Sequence, residues 1–98
     1  MILVTGATGF LGKRVCGKLK SEGKEFVQTS LSLGADLREK KQVMDLFEKV
    51  TPEYVLNCAT FIGGIQFGCK YPVEIFQNNL MMTLNLLDAA KKFKVKRM

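Results

Sequence analysis

Three glycines at fixed spacing near the start of the chain restrict its local structure more than any other feature. The segment Gly6-Ala7-Thr8-Gly9-Phe10-Leu11-Gly12 has the form GxxGxxG and directly follows a short apolar run, Met1–Thr5. The residues after it repeat apolar side chains at helical spacing, so the glycines stand between a predicted buried strand and a predicted helix. Gly6 permits a sharp exit from the strand, and Gly12 permits close packing of the helix on the sheet.

The glycine turn has two interpretations. In the first it binds a dinucleotide: Gly9 lets a pyrophosphate approach the backbone, and the N–H groups of the helix start offer it a partial positive charge. In the second the glycines only make a tight connection between strand and helix. The position of the turn favours dinucleotide binding, while the spacing alone leaves both interpretations open.

Strand and helix patterns alternate along the rest of the chain. This alternation predicts an α/β fold, a three-layer domain in which helices cover both faces of a parallel sheet. Leu31–Asp36 is irregular or a short strand, and Thr60–Tyr71 is a glycine-rich loop. The predicted strands are Met1–Thr5, Glu25–Ser30 and Tyr54–Ala59, and the predicted helices are Gly9–Glu22, Leu37–Val50 and Val73–Phe93.

The predicted sheet is incomplete. Tyr54–Ala59 would lie beside the central first strand, which leaves its other edge without a partner. In such a fold the last helix leads into a further strand, and Val95–Met98 is where that strand would begin. We therefore expect the 98 residues to be the first part of a larger domain, with no substrate domain among them.

Composition argues against several function classes. The net charge of +6 comes mostly from a C-terminal cluster, which suits the negative end of a helix, so we expect neither nucleic-acid nor membrane binding. Three separated cysteines without CxxC spacing indicate free thiols in a reducing compartment, and a cytoplasmic location is expected. The absence of histidine excludes a histidine-based triad within these residues, and no metal site is expected.

The segment Gln28–Ser30 bears on which dinucleotide the turn would take. Dinucleotide-binding units carry an acidic residue about 20 residues after the glycines, where it bonds the ribose 2′-hydroxyl. Three neutral polar residues stand at this position here. A 2′-phosphate would not be repelled, and Lys13 or Arg14 either lies near it or is only a solvated side chain. We expect NADP or NAD as the cofactor, with a slight preference for NADP.

The stretch Val4–Gly12 resembles the first turn of the extended short-chain dehydrogenase/reductases, especially the NAD-dependent epimerases and dehydratases of nucleotide sugars. The resemblance implies a Rossmann-like parallel sheet, of which this chain holds the first half. Asp36-Leu37 is similar to a family motif in which the aspartate faces the adenine amino group. Alternatively, Asp36 caps the helix that begins near Leu37.

A second matching motif, Asn57-Cys58-Ala59-Thr60, stands where the family has a strand end that lines the cofactor. Cys58 replaces an alanine there, and we interpret it as a small buried residue rather than a reactive thiol. The resemblance thus implies the following cofactor-binding residues: Gly6, Thr8, Gly9, Phe10, Leu11, Gly12, Asp36, Leu37, Cys58, Ala59 and Thr60.

The region after Thr60 is similar to the GDP-L-fucose synthase subfamily, in which a loop like Gly63-Gly64 passes near the nicotinamide and the sugar. Two differences leave a different sugar open: Phe67-Gly68-Cys69 replaces expected asparagines, and Thr60-Phe61 is bulky. In the family an asparagine like Asn79 supports the active site; alternatively its side chain bonds the neighbouring loop. Family members often dimerise through a bundle that includes this helix, so the resemblance implies a homodimer.

The family's chemistry rests on a serine or threonine and a Tyr-x-x-x-Lys motif, in which the tyrosine is the general acid/base. Tyr54 is followed at the fourth position by Cys58, and Tyr71 by Ile75, so no residue of this chain is predicted to be catalytic. The resemblance implies the NAD(P)-binding part of a nucleotide-sugar epimerase/reductase that transfers hydride at the sugar ring, of the GDP-4-keto-6-deoxymannose type. The alternative is a non-catalytic NADP(H)-binding or sensing module of the same fold.

Overall fold

The computed structural model describes residues 1–60 and 69–98. The loop residues Gly63-Gly64 and Phe67-Gly68, on which the comparison of sugar specificity depends, lie outside these ranges. The described residues form strands and helices in strict alternation: β1 (Ile2–Thr5), α1 (Phe10–Ser21), β2 (Phe26–Thr29), α2 (Lys40–Val50), β3 (Tyr54–Asn57) and α3 (Pro72–Lys92).

The strands form one parallel sheet in the order β2-β1-β3. β1 is central, as predicted, and both neighbours pair with it in the same register. Ile2 lies opposite Phe26 and Tyr54, and Thr5 lies opposite Thr29 and Asn57. Because the strands are parallel and in register, their carboxyl ends reach the same edge of the sheet.

Helices cover both faces of β1. Leu3 and Val4 are fully buried, and as neighbours on a strand they point to opposite faces. Leu3 packs in a cluster with residues of α2 and α3, including Phe47 and Leu86. Val4 packs in a second cluster with Cys16 of α1. The predicted three-layer α/β fold is confirmed.

Most element boundaries lie within one residue of the prediction, and three places differ by more. α2 begins at Lys40 rather than Leu37, and turns occupy the residues between Ser30 and the helix. β3 ends at Asn57 rather than Ala59. Cys69 and Lys70 are helical rather than part of a loop.

Asp36 is therefore not the cap of α2, and that alternative is wrong. The N-cap is Glu39, which makes no capping bond with its side chain. The carboxylate of Asp36 instead accepts a hydrogen bond from the backbone N–H of Arg38 at 3.0 Å. This local bond closes a turn and delays the start of the helix, a competition that short polar side chains often win.

After α3 the chain returns to the free edge of β3. Lys94 adopts a left-handed conformation with φ +56°, and the chain then runs parallel to β3. The backbone N–H of Lys96 donates to the carbonyl of Glu53 at 2.8 Å, and that of Val55 donates to the carbonyl of Arg97 at 3.0 Å. Val95–Met98 thus occupies the place where a further strand was predicted to begin.

Among the residues 1–60 and 69–98, no helix has both the length and the apolar character needed to cross a membrane.

Candidate functional site

A cavity of about 510 Å³ opens at the carboxyl edge of the sheet, between the glycine turn, the segment before α2 and the end of β3. All of the predicted cofactor-binding residues except Gly12 line it. The structure thereby brings together residues that are far apart in sequence. The lining residues are Gly6, Thr8, Gly9, Phe10, Leu11, Ser30, Leu31, Ala35, Asp36, Leu37, Arg38, Cys58, Ala59, Thr60 and Met82.

Gly6 and Gly12 are required by the packing of the protein itself. Gly6 has φ +64°, which disfavours other residues, and a Cβ there would lie 2.5 Å from the backbone nitrogen of Ala59. A Cβ on Gly12 would collide with the carbonyl oxygen of Gly6. These two glycines let the turn lie against the end of β3 and let α1 lie against the turn.

Gly9 differs from the other two. Its backbone is in an ordinary extended conformation, with φ −79° and ψ 177°. A Cβ there would meet only the carbonyl oxygen of Gly6, at 3.4 Å, which is normal van der Waals contact. Internal packing in the described part of the chain therefore does not require a glycine at this position. Gly9 lines the cavity at the start of α1.

The start of α1 is suited to an anionic group. Gly9 is the N-cap and has no side chain to cap the helix, and no acidic residue stands in the first turn. The first N–H groups of a helix lack intrahelical partners and carry the positive end of the helix dipole. A phosphate or carboxylate in the cavity can accept hydrogen bonds from these groups.

The end of β3 is held by a partly buried hydrogen bond. The hydroxyl of Thr5, which is fully buried, donates to Oδ1 of Asn57 at 2.6 Å. The same oxygen accepts from the backbone N–H of Ala59 at 3.2 Å. Asn57 therefore shapes the chain that carries Ala59 and Thr60 along the cavity wall.

Asp36 and Arg38 form a bidentate salt bridge in the wall of the cavity. Nε and Nη2 of Arg38 each donate to a different carboxylate oxygen of Asp36, both at 2.9 Å. The hydrogen bonds from the Arg38 guanidinium hold the pKa of Asp36 below its usual value, although partial burial opposes this. Arg38 also donates from Nη1 to Oδ1 of Asn78 on α3, at 3.2 Å. The pair thus positions the carboxylate that was predicted to face adenine.

Asparagines of α3 tie the helix to the cavity. The hydroxyl of Thr60 donates to Oδ1 of Asn79 at 3.2 Å, so Asn79 bonds the segment that follows β3. Buried Asn85 donates to the carbonyl oxygen of Leu37 at 2.9 Å. The second bond holds the segment that carries Asp36.

The thiol of Cys58 lies between the cavity and the α1 side of the core. It packs against the cluster that contains Cys16, and burial raises the pKa of the Cys58 thiol. Burial, and then the neighbouring Cys58, raise the pKa of Cys16 as well. Raised pKa values keep both thiols protonated near neutral pH, which agrees with an unreactive thiol at Cys58. Cys58 is half-buried, however, and not buried as predicted, because one side of it faces the cavity.

Lys13 and Arg14, which were considered as partners of a 2′-phosphate, are not among the residues that line the cavity. Lys13 lines a separate surface groove with Gln28. Arg14 stacks on the ring of Phe10, with its guanidinium carbon 4.6 Å from the ring centre.

Several lining residues were not among the predicted cofactor-binding residues: Ser30, Leu31, Ala35, Arg38 and Met82. The sequence did draw attention to Ser30, because it belongs to the segment Gln28–Ser30, where an acidic residue that bonds the ribose is typical. Met82 carried none, since its place on the wall depends on how α3 docks. Within the described ranges, no three cysteine or acidic side chains are grouped so that they could hold a metal ion.

The fold and the site together define a class. A parallel sheet with helices on both faces and a GxxGxxG turn at its carboxyl edge is the Rossmann-like arrangement. A family model described as "NAD dependent epimerase/dehydratase family" matches residues 2–98. The chain belongs to this family.

Comparison with individual proteins supports the same family assignment. The GDP-L-colitose synthase of Yersinia pseudotuberculosis is 35% identical over 97 residues, which cover 99% of this chain and 31% of that protein. The structure of a GDP-L-fucose synthetase from Naegleria fowleri bound to NADP superposes with a TM-score of 0.82 at 35% identity, covering 97% of this chain and 31% of that one. The Thermus thermophilus UDP-glucose 4-epimerase in complex with NAD gives a TM-score of 0.86 at 28% identity, covering 96% and 34%. The chain therefore spans about a third of the length of these relatives.

Proposed function

We propose that the cavity binds the adenosine and pyrophosphate half of NAD(P). The observation that carries this proposal is Gly9, a glycine that neither backbone conformation nor internal packing requires. Its missing side chain leaves room for a pyrophosphate in front of the N-terminus of α1. The two other glycines would also suit a connecting turn, so the contrast at Gly9 favours binding over packing alone.

Each part of the cavity wall has a role in this proposal. N–H groups of the first turn of α1 bond the pyrophosphate, and Asp36, oriented by Arg38, accepts a hydrogen bond from the adenine amino group. Cys58, Ala59 and Thr60 line the path from the ribose toward the nicotinamide. When bound, NAD(P) supplies the exchange of a hydride with the substrate, and the residues of this chain hold and orient it.

We propose that residues 1–98 are the N-terminal part of the NAD(P)-binding domain of a nucleotide-sugar epimerase/reductase of the GDP-4-keto-6-deoxymannose type. The similarity to GDP-L-colitose synthase and to the GDP-L-fucose synthase of Dictyostelium discoideum, at 35% and 32% identity, supports this substrate class. No Tyr-x-x-x-Lys occurs in the 98 residues, so under this proposal the catalytic tyrosine is not one of them. A protein without that motif would instead fit the alternative of a non-catalytic NADP(H) module.

We further propose that the complete protein is a homodimer of the cytoplasm. Support for the dimer comes from a row of exposed apolar side chains on α3, which includes Phe76, Leu80 and Leu84. Support for the compartment comes from the cysteines, all three of which are unpaired.

Thermal unfolding with NADP⁺ and with NAD⁺ tests the binding proposal. A ligand that binds only the folded state at 100 times its Kd adds about 2.7 kcal/mol of stability, which raises Tm by several degrees. Gly9→Val should abolish the shift while the variant still unfolds cooperatively, because its side chain fills the space of the pyrophosphate.

Gly17→Ala is the matched control. Gly17 lies on the exposed side of α1, where a Cβ would meet no atom within 4 Å. This variant should keep the full shift. The proposal is wrong if the native protein shows no shift with either nucleotide, or if Gly9→Val responds as the native protein does.

A further inference from the structure

A second cavity, of about 530 Å³, lies between α3 and the segment that precedes α2. Asp36 and Arg38 line this outer groove as well as the cavity beside the glycine turn, so their salt bridge belongs to the walls of both. The opposite wall of the outer groove is apolar. It consists of Leu80, Met81 and Leu84, each of which is between 45% and 49% exposed.

Asn78 of α3 fixes the position of Arg38 from the side of the outer groove. The side-chain amide of Asn78 donates from Nδ2 to the carbonyl oxygen of Glu74 at 2.6 Å, which directs its Oδ1 at Arg38. This Oδ1 accepts a hydrogen bond from Nη1 of Arg38 at 3.2 Å. The guanidinium is thus held by α3 on one side and by two hydrogen bonds to Asp36, each of 2.9 Å, on the other.

The hydrogen bonds of Asp36 determine where its carboxylate can meet a ligand. Within the described part of the chain, Oδ1 accepts from the backbone N–H and from Nε of Arg38, and Oδ2 accepts from Nη2. A carboxylate has about four acceptor positions, two on each oxygen, so Oδ2 keeps one for a further donor. The adenine amino group of the proposed function would therefore be met by Oδ2, in the orientation that Arg38 imposes.

Water reaches this salt bridge, so its strength depends on what covers the outer groove. The Arg38 side chain is 34% exposed and the Asp36 side chain 22%. Apolar groups seated in the groove would exclude water, and hydrogen bonds of a charged pair are stronger where the local dielectric constant is lower. They would also restrict Arg38 to one conformation, and a ligand that binds an already ordered site loses less conformational entropy.

A second copy of this chain suits the outer groove. The apolar wall is continuous with the exposed row on α3, since Leu80 and Leu84 belong to both. α3 also carries an acidic residue, Glu74, in its first turn and two basic residues, Lys91 and Lys92, in its last turn. A two-fold axis between Leu80 and Leu84 makes two copies of α3 antiparallel and brings Glu74 of each copy near the basic last turn of the other.

We propose that Arg38 couples the two cavities, so that packing of a second copy into the outer groove strengthens the binding of NAD(P) at its adenine end. This inference rests on the proposed cofactor binding and on the proposed dimer, and it goes beyond them by making each depend on the other. Linkage requires this dependence to be mutual: a dimer that binds the nucleotide more tightly is itself stabilised by the nucleotide.

Sedimentation equilibrium of the native protein with and without saturating nucleotide tests the coupling, using whichever of NADP⁺ and NAD⁺ binds in isothermal titration. The nucleotide should lower the dimer Kd by at least about fivefold, the lower end of typical coupling between two sites. The hypoxanthine analogue of the same nucleotide carries a carbonyl in place of the adenine amino group. It should leave the dimer Kd nearly unchanged, because Oδ2 of Asp36 then has no donor to accept from.

Asn78→Ala tests the route through Arg38, and Gln77→Ala is its matched control. Both residues lie on α3 and line the outer groove, but it is Asn78 that accepts the hydrogen bond from Nη1 of Arg38. Asn78→Ala should still bind the nucleotide but should lose most of the effect of the nucleotide on the dimer Kd. Gln77→Ala should retain that effect.

Each other outcome counts against a defined part of this inference. Binding of neither nucleotide would contradict the proposed function itself, and a protein that is monomeric at every concentration would remove the partner on which the coupling depends. A dimer Kd that is the same with and without nucleotide would overturn the coupling while cofactor binding and the dimer stand. An equally large effect with the hypoxanthine analogue, or in Asn78→Ala, would overturn the role of Arg38 and Asp36.

Discussion

Within one turn of seven residues, glycine meets three different requirements. Gly6 needs a left-handed backbone, and Gly12 needs the absence of a Cβ against the Gly6 carbonyl. Gly9 needs neither, and under the proposed function it leaves room for the pyrophosphate. A glycine in a motif can therefore be required by packing or by ligand binding, and only the atoms around its Cα distinguish the two reasons.

The ion pair between Asp36 and Arg38 should make stability depend on pH in a defined window. The hydrogen bonds from Arg38 depress the pKa of Asp36 in the folded state. A depressed pKa contributes stability that is fully present above the unfolded pKa of about 3.9, and that is lost as the pH falls through the folded pKa. Asp36→Asn should therefore be less stable than the native protein at pH 7, and the difference should shrink as the pH falls below the unfolded pKa.

Urea unfolding of both proteins across this pH range measures the difference. Asp45→Asn is the control, because Asp45 is an exposed carboxylate on α2 outside the cavity. A stability difference for Asp36→Asn that stays constant from pH 7 to about 3 would show that the charge of Asp36 does not contribute.

At the scale of elements, one buried amide joins α3 to the irregular segment before α2. The side chain of Asn85 donates to the carbonyl of Leu37. Neither residue adjacent to Leu37 in the sequence is helical. Asn85→Ala leaves that buried carbonyl without its donor, which should lower the free energy of unfolding by about 1–3 kcal/mol. Chemical denaturation followed by circular dichroism measures the loss.

Thr83→Ala on the same helix provides the comparison. Thr83 is exposed, and its substitution should change the free energy of unfolding by less than about 0.5 kcal/mol. If Asn85→Ala were as mild as Thr83→Ala, the bond to Leu37 would not be needed to hold the Asp36 segment in place.

At the scale of the whole molecule, a row of apolar side chains on α3 is exposed in the part of the chain that the structure describes. They recur at intervals of three and four residues, so they share one face of the helix. Each is between 45% and 66% exposed: Val73, Phe76, Leu80, Leu84 and Leu87. A contiguous apolar row of this kind is typical of an interface with another subunit or domain.

If this face joins two copies of the protein, charges placed on it should separate them. The double variant Leu80→Lys with Leu84→Lys should convert the proposed dimer to a monomer, measured by sedimentation equilibrium. Leu33→Lys is the control, since Leu33 is 56% exposed but lies outside α3. A native protein that sediments as a monomer, or a double variant that remains a dimer, would contradict a dimer through α3.

The order of the elements and the chemistry of the glycine turn were determined by the sequence itself. Both depend on local properties: the spacing of apolar residues along a strand or helix, and the absence of a Cβ at three positions. The start of α2 was less predictable. The Asp36 carboxylate could have capped a helix beginning near Leu37, but it accepts hydrogen bonds from the backbone and side chain of Arg38 instead.

Only the tertiary structure decided how the cavity wall is assembled. Parallel pairing of β1 with β2 brings Thr8 to Ser32, 24 residues later, and pairing of β1 with β3 brings the turn to Ala59. Neither contact has a signature in the sequence, since each depends on which strands are neighbours and on their register. The turn could be recognised from seven residues, whereas the hydrogen bond between Thr8 and Ser32 exists only once the sheet has formed.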